Sequence, residues 1–356
     1  MQGIHQTENL VEETLAIPIP EVERVERNDR LPDNSAAGGA DHGVSRRETS
    51  AWLGTLSREQ RQAIRALHDI SPAWNLVVVL YPVLWALAAY LMWTFPVWPM
   101  RLAGYAVIGI SIHAMAVLVH EGSHNSIFRS RFVDRWVGFL LGVPVLVSYS
   151  AYRTLHGFHH RYTRDADDPD EFLNVTKNRT ALEVLFYSWL IFGTPIYLVH
   201  VAKTALERGK RLERIDIIVE YLLLAVICTG VALLCIRLDG WPVLLHCWAL
   251  PMLVAMVFGN VRSWAEHQMT QPGNPLTQTR TVTSNAVVSF LMCNLNYHLE
   301  HHLFPGIPWY NLPKLHAMLQ DEYRRAGAFI YRSYLRFLWD AFRVGVHGIA
   351  RESATV

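Results

Sequence analysis

The feature that most constrains this chain is a series of long apolar stretches. The first runs from about Ala73 to Phe95, and its 23 residues would extend about 34 Å as a helix, enough to cross the hydrocarbon core of a bilayer. Trp74 and Trp93 lie near its ends, where aromatic side chains favour the membrane interface. Because 51% of the residues are hydrophobic and they lie in such blocks, we predict an integral membrane protein.

Four of these stretches are predicted to span the membrane as two helical hairpins. After the first, they run over about residues 102–119, 215–236 and 242–260. Two more, 137–149 and 184–201, are predicted to be re-entrant or to lie on the membrane surface, because Pro144 interrupts one and Gly193 to Pro195 break the other. The predicted fold class is an all-α membrane protein with four transmembrane helices, re-entrant or interfacial helices and a cytosolic helical cap.

The remaining sequence constrains the fold less. Residues 1–50 lack periodicity and are predicted to be a disordered tail. Residues 51–345 are predicted to form one membrane domain, and residues 346–356 a flexible C-terminal tail. Ser57 and Gln60 match a capping box that opens a short helix, either interfacial or a solvated linker.

Charge and cysteine content exclude some classes of function. The 32 basic and 31 acidic residues nearly cancel, so net charge gives no attraction to nucleic acid. The four cysteines form no C-x-x-C pair. They are therefore predicted to be inert buried thiols rather than metal ligands or disulfide partners.

Eight histidines form three clusters that would each lie on one face of a helix. Residues three and four positions apart share a face, and the clusters are His120-Glu121-Gly122-Ser123-His124, His156-Gly157-Phe158-His159-His160 and His298-Leu299-Glu300-His301-His302. His267 also follows a predicted span and is a candidate ninth member. By contrast, His113, His200 and His246 stand alone inside apolar stretches and are predicted to be ordinary buried polar residues.

The clusters are expected on one side of the membrane, because they flank the ends of the predicted spans. The same side carries a large set of basic residues, namely Lys203, Arg208, Lys210, Arg211, Arg214, Arg324, Arg325, Arg332, Arg336 and Arg343. Arg101 and Arg237 mark the other face. The positive-inside rule then predicts that the histidines and both termini face the cytoplasm.

The histidine clusters are predicted to hold at least two metal ions. Neutral imidazole suits iron, copper, zinc and nickel, and one structural zinc takes only four ligands. Carboxylates close to the clusters in sequence would orient the ring N–H groups and offset the charge of the metal. Those predicted to do so are Glu121, Asp168, Asp170, Glu266 and Glu300. For each of them, a solvated surface acid is the alternative.

These motifs resemble the membrane fatty acid desaturase and hydroxylase superfamily, with boxes that read H-x-x-x-H, H-x-x-H-H and H-x-x-H-H. The resemblance covers about Ser57 to Tyr323 and includes residues 168–170, 294–297 and 304–316. It implies a four-span helical fold, two iron ions in a non-haem di-iron centre, O2 as co-substrate, and electrons from a ferredoxin or from cytochrome b5 with its reductase. The implied iron ligands are His120, His124, His156, His159, His160, His267, His298, His301 and His302.

Several positions separate this chain from individual branches of the superfamily. Three residues, rather than four, separate the first histidine pair, and Ser263 stands where acyl-CoA desaturases place an asparagine. The third box begins with His298 rather than with the Gln of front-end desaturases. The first box with Asn125, and residues 159–162, are similar to sphingolipid desaturases, whereas residues 308–310 are similar to carotenoid ketolases.

The implied function is O2-dependent formation of a double bond in a fatty acyl chain, held in an apolar tunnel between the spans. A hydroxylase or ketolase acting on an alkane, sphingolipid or carotenoid would use the same centre. A histidine-rich metal transporter is a third hypothesis. Transporters carry ionisable ligands within their spans, whereas these clusters lie at span ends. We predict no catalytic residue beyond the metal ligands.

Overall fold

The structure, a computed structural model, describes residues 51–349. The predicted disordered tail at residues 1–50, and residues 350–356 of the predicted C-terminal tail, lie outside this range. The described part is mostly helical. Its α-helices are α1 (Arg58–Ala66), α2 (Val77–Thr94), α3 (Trp98–Ser123), α4 (Arg131–Gly142), α5 (Tyr149–Tyr162), α6 (Arg179–Arg208), α7 (Arg211–Leu238), α8 (Trp241–His267), α9 (Ala286–Leu291), α10 (His298–Leu303), α11 (Leu312–Ala326) and α12 (Tyr334–Val344). Two short strands, β1 (Arg280–Val282) and β2 (Phe329–Tyr331), pair in parallel.

Five helical segments in the described range are long and apolar enough to cross a membrane. They are Pro72–Thr94, which contains α2, and the helices α3, α6, α7 and α8. The four predicted spans are thus found as helices; the first has the predicted length, and the other three are longer than expected. The predicted count of four is not confirmed, because α6 also qualifies and the bent pair α4–α5 would be a sixth candidate if it formed one span.

The predicted break in α6 is wrong, because the helix continues through Pro195 over 30 residues. Proline lacks an N–H, so it removes one hydrogen bond from the helix. Asn260 of α8 supports this region from outside. Its Nδ2 donates to the Leu190 carbonyl at 3.1 Å, and its Oδ1 accepts from the Thr194 hydroxyl at 2.8 Å. In apolar surroundings, such side-chain bonds let a helix tolerate a proline.

The helices α4 and α5 meet at an angle of 98°, as the interruption at Pro144 predicted. Between them the chain turns through a 3-10 segment, Val143–Val145, and through Leu146, whose φ of 58° is left-handed. Ser148 then caps α5 by accepting a hydrogen bond from the Ala151 amide. The second histidine cluster therefore begins on a new helix with its own cap.

A buried carboxylate on α7 fixes the start of α5. Glu220 accepts hydrogen bonds from the Ser148 hydroxyl and from the Ser150 amide and hydroxyl at 2.6–2.8 Å. It also pairs with Nε of Arg135 on α4 at 2.9 Å. A buried charge is costly unless it is paired and hydrogen-bonded, and Glu220 has both kinds of partner. These bonds join α4, α5 and α7 below the second histidine cluster.

The segment after α8 and the N-terminal helix α1 together form a small helical cap. Its apolar core is built from α1, α10 and α11, with the buried residues Ile64, Leu299, Leu303, Leu312, Leu315 and Leu319. The predicted capping box of α1 is confirmed, since Ser57 and Gln60 each accept a hydrogen bond from the other's backbone amide. Leu299 and Leu303 are buried in this core. The helix of the third cluster, α10, therefore packs against the cap with the face that carries these two leucines.

Candidate metal centre

All nine predicted histidine ligands come together where four segments of the fold end or begin. The first cluster closes α3, with His120 on the last turn and His124 at the C-cap. The second cluster lies on α5, the third on α10, and α8 ends at His267. The long helices therefore deliver their polar ends to one place, as the sequence predicted.

The ring nitrogens form two groups. The first group offers five nitrogens that all lie within 4.8 Å of one another, from His120, His124, His156, His160 and His301. The second group consists of four histidines. Ring nitrogens of His159, His267 and His302 lie within 4.8 Å of one another, and His267 also has a ring nitrogen within 4.8 Å of one in His298. The second and third clusters therefore each contribute to both groups.

The nitrogen separations fit an ion held between the rings. Nε2 of His156 lies 2.9 Å from Nε2 of His124 and 3.0 Å from Nε2 of His160. In the second group, Nε2 of His298 lies 2.8 Å from Nε2 of His267. Ligands at right angles on metal–nitrogen bonds of about 2.1 Å would lie roughly 3.0 Å apart. The two groups are therefore able to bind metal.

Asp168 orients the second cluster. Its Oδ1 accepts a hydrogen bond from Nδ1 of His159 at 2.9 Å. The same carboxylate accepts from the backbone amides of Arg164 at 2.8 Å and Asp170 at 2.9 Å, which fixes its own position. An acceptor at Nδ1 holds the ring proton there and leaves the lone pair of Nε2 available for a metal.

Glu121 and Glu266 lie beside two further rings. An oxygen of Glu121 is 3.5 Å from Nδ1 of His120, and an oxygen of Glu266 is 3.4 Å from Nδ1 of His298. Glu266 also pairs with Arg262 one turn earlier on α8. Both carboxylates are buried, so neither is the solvated surface acid of the alternative interpretation.

Glu300 does not orient a histidine of either group, and that prediction is wrong. Its oxygens accept hydrogen bonds from the Thr281 hydroxyl and from Nδ1 of His316, both at 2.6 Å. A residue between His298 and His301 in a helix points to a different face from theirs. Glu300 therefore attaches α10 to β1 and α11 instead of contacting the metal groups.

Asp170 also lies elsewhere than predicted. Its carboxylate accepts a hydrogen bond from the Tyr197 hydroxyl at 3.3 Å and lies 3.9 Å from Nε2 of His200. Within the described range, it forms no hydrogen bond with a histidine of the two groups. Burial raises the pKa of Asp170 to about 6, because the charged form loses solvation.

Comparison with known proteins decides the family. The profile of the fatty acid desaturase family matches residues 96–334, which include all nine histidines. The chain belongs to the fatty acid desaturase family. It is therefore a fatty acid desaturase family enzyme with histidine clusters able to bind metal, and the family implies a lipid substrate.

Relatives of this desaturase-family chain act on different lipids, as their names state. The sn-1 oleoyl-lipid 12-desaturase of Picosynechococcus sp. is 24% identical over 309 residues, which cover 78% of this chain and 84% of the relative. A human sphingolipid delta(4)-desaturase/C4-monooxygenase is 26% identical over 286 residues, 78% of this chain and 83% of the relative. The sn-1 acyl-lipid omega-3 desaturase (ferredoxin) of Nostoc sp. is 26% identical over 266 residues, 67% and 71% respectively.

The third cluster of this desaturase-family enzyme is held in the neutral state. Burial lowers the pKa values of His298, His301 and His302 well below the usual value, and neighbouring imidazoles lower them further. A neutral imidazole keeps the lone pair that a metal needs. The electrostatics of the third cluster therefore favour metal binding near neutral pH.

Arg280 is a supporting residue that the sequence analysis missed. Its guanidinium is fully buried and donates to the carbonyls of Ala265, Gln268 and Met269 at 2.6, 2.9 and 3.2 Å. These carbonyls surround the end of α8, where His267 lies. Burial lowers the pKa of Arg280 to about 9. A single arginine after a span carries no sequence signal for this role.

A cavity of about 340 Å³ extends from the histidine groups between α3, α6 and α8. Much of its wall is apolar, with Ala116, Val119, Met252, Ala255 and Met256. This position agrees with the apolar tunnel expected between the spans. The cavity reaches His120, His156, His159, His267 and His298, so a chain inside it would meet both metal groups.

The three lone histidines divide in a way that the sequence did not predict. His200 donates from Nε2 to the Pro169 carbonyl at 2.8 Å, and His246 bonds to the Tyr105 hydroxyl. Both have hydrogen-bond partners, as expected, but both are only half-buried. His113 differs, because neither of its ring nitrogens has a hydrogen-bond partner among the residues that the structure describes.

Proposed function

We propose that this chain is a membrane-bound, O2-dependent lipid desaturase that introduces a double bond into a fatty acyl chain. The observation that carries the proposal is the convergence of nine imidazoles into two adjacent groups at the end of an apolar cavity. In this proposal each group holds one iron ion. One ion is held by His120, His124, His156, His160 and His301, and the other by His159, His267, His298 and His302.

The protein's own side chains prepare this site. When bound, a pair of iron ions supplies the two-electron chemistry with O2 that can remove hydrogen from an unactivated methylene. Asp168 holds the proton on Nδ1 of His159. Glu121 and Glu266 lie near Nδ1 of His120 and His298 without a hydrogen bond, and their negative charge would offset that of the metal. The apolar cavity wall excludes water and positions the lipid chain against the histidines.

The relatives support both an acyl-lipid desaturase and a sphingolipid enzyme. The relative named a desaturase and C4-monooxygenase favours hydroxylation of a sphingolipid chain as a second candidate. The first step, hydrogen removal, is common to both reactions. Loss of a second hydrogen gives the double bond, whereas transfer of oxygen gives the alcohol.

The membrane arrangement and electron supply complete the proposal. Four of the candidate helices would span the membrane, α6 would lie at the surface, and the histidines and both termini would face the cytoplasm. The basic residues around Lys210 support this orientation through the positive-inside rule. The donor would be a ferredoxin, which the name of the Nostoc relative supports, or cytochrome b5 with its reductase.

The deciding experiment is lipid profiling of a host that expresses the wild type or His301→Ala together with a competent electron donor. Desaturation predicts products that lack two hydrogens in the wild type and are absent in the variant. Hydroxylation predicts products that gain one oxygen. Exposed Arg325→Ala is the matched control. Unchanged lipids in the wild type would reject both reactions, and metal uptake into vesicles without lipid oxidation would favour a transporter.

A further inference from the structure

His113 is a buried polar residue in the middle of α3, on the wall of the cavity. Its side chain is only 4% exposed, and its ring lies against Phe258 of α8, with centroids 6.1 Å apart. Neither Nδ1 nor Nε2 has a hydrogen-bond partner among residues 51–349. Leaving a buried polar group without a partner costs about 1–3 kcal/mol. A ligand that forms a hydrogen bond with this imidazole would therefore gain binding energy.

Away from the histidine groups, three other polar residues of the same wall have partners. Thr194 and Asn260 bond to each other, and His200 bonds to a backbone carbonyl. Gly259 faces the His113 ring, and a Cβ added there would lie 3.8 Å from Cδ2 of that ring. Because Gly259 has no side chain, the space beside the imidazole stays open to a molecule in the cavity.

His113 and the metal groups share this cavity. His113 lies seven residues before His120 on α3, which is two helical turns on the same face and about 10 Å along the axis. Both residues line the cavity. A lipid chain that reaches the histidine groups through this space therefore passes within contact distance of His113.

From this geometry we infer that His113 binds an oxygen atom carried by the lipid substrate, a hydroxyl or a carbonyl, inside the cavity. The inference rests on the proposed function and deepens it, because it makes a purely hydrocarbon chain the poorer substrate. Imidazole suits this role because one ring nitrogen donates and the other accepts. The oxygen could belong to the hydroxyl or amide of a sphingoid base, or to a hydroxyl on an acyl chain.

Ligand binding without turnover tests this inference. Iron-loaded protein in detergent, kept without O2 and without an electron donor, is titrated with a saturated acyl phospholipid. The same lipid with one hydroxyl at successive carbons, and an N-acyl sphingoid base, are titrated in parallel. We expect at least one oxygen-bearing lipid to bind about tenfold more tightly than the plain lipid. The best hydroxyl position, or preference for the sphingoid base, identifies the source.

Variants link the preference to the imidazole. His113→Leu is expected to lose the tenfold preference while still binding the plain lipid, and His113→Gln, which keeps a donor and an acceptor, to retain part of it. Ser111→Ala is the matched control. It removes a neighbouring buried hydroxyl that donates to the Val107 carbonyl at 2.8 Å, so the preference should be unchanged.

Two results would overturn the inference. Equal binding of all lipids by the wild type would mean that water alone satisfies His113, and this comparison holds even if the variants do not fold. A preference retained in folded His113→Leu would place the recognition elsewhere. If oxygen-bearing lipids bind more tightly but lipid profiling finds no oxidised product, the proposed function is contradicted. If products form but all lipids bind equally, only this inference is rejected.

Discussion

Asp168 holds the Nδ1 proton of His159 across 2.9 Å, from the loop that follows α5. The carboxylate is itself fixed by two backbone amides of the same loop. The loop therefore controls the tautomer of a ring whose Nε2 lies 3.2 Å from Nε2 of His267. The loop after α5 thus sets the protonation of a ring whose other nitrogen belongs to the second group.

Replacing Asp168 should weaken metal binding without unfolding the protein. In Asp168→Ala the Nδ1 proton of His159 loses its acceptor, and iron affinity should fall about 10–100-fold. Iron content after dialysis against a graded chelator measures this. The control is Asp167→Ala, which changes an exposed side chain in the same loop. Equal iron retention by both variants would contradict the role of Asp168.

The two histidine groups should lose iron separately. His156→Ala with His160→Ala removes two members of the first group, and His298→Ala with His302→Ala removes two members of the second. Each double variant should retain one iron per chain where the wild type holds two. Elemental analysis of purified protein measures the ratio. Two irons in either variant would show that the removed pair holds none.

The pH dependence of stability should reveal that His301 is buried in its neutral form. Its folded pKa lies well below the usual value because of burial, so below about pH 6.5 the unfolded chain binds a proton that the folded chain does not. Protonation of His301 in the unfolded chain therefore lowers the free energy of unfolding as the pH falls. Metal-free His301→Gln lacks this effect, because glutamine does not titrate.

The variant should therefore gain stability relative to the wild type by up to about 1.4 kcal/mol per pH unit below pH 6.5. Denaturant unfolding of both metal-free proteins in detergent, between about pH 7.5 and pH 5, measures the difference. Titrating groups that do not interact with His301 affect both proteins alike and cancel. A constant difference over this range would mean that His301 is accessible to protons in the folded state.

Removing Arg280 should destabilise the end of α8. Arg280→Met deletes three hydrogen bonds from a charged donor to the carbonyls around His267. The net loss is smaller than three bonds of about 1.5–3 kcal/mol each would give, because the substitution also removes the cost of burying the guanidinium charge. We expect a loss of roughly 3–5 kcal/mol in the free energy of unfolding, together with faster release of iron. Exposed Arg325→Met should change stability by less than about 1 kcal/mol. Similar melting of the two variants would contradict the prediction.

The proposed orientation can be tested with single cysteines at the two ends of α7. Both positions, Lys210 and Asp239, are exposed. In intact cells, a membrane-impermeant thiol reagent should label Asp239→Cys, and Lys210→Cys only after permeabilisation. The unsubstituted chain, labelled in parallel, gives the background from native cysteines. The reverse pattern would place the histidine groups on the outer side.

The convergence of the histidines could be predicted because helical spacing alone places each cluster on one face. A division over two ions could also be predicted, but not which histidine joins which group. His156 and His160 join one group while His159, between them, joins the other, and this depends on the angles at which α5, α8 and α10 approach. Those angles come from tertiary contacts such as the bonds of Glu220, which link residues about 70 positions apart.

The errors in the fold prediction have the same origin. Pro195 suggests a break when α6 is considered alone, and the side chain of Asn260 that supports the helix comes from α8. Glu300 lies inside a histidine box, yet its partners are Thr281 and His316. In each case local sequence identifies a polar or disruptive residue, and a distant element decides its role.

The order of the ligands along the chain has a consequence for biosynthesis. When residue 160 leaves the ribosome, four members of the first group exist but only His159 of the second. The first group still lacks His301, and the second lacks His267, which comes with the end of α8, and His298 and His302, which come with α10. Both groups are therefore complete only after α10 has been synthesised, and a product truncated before His298 would carry two incomplete groups open to adventitious metals.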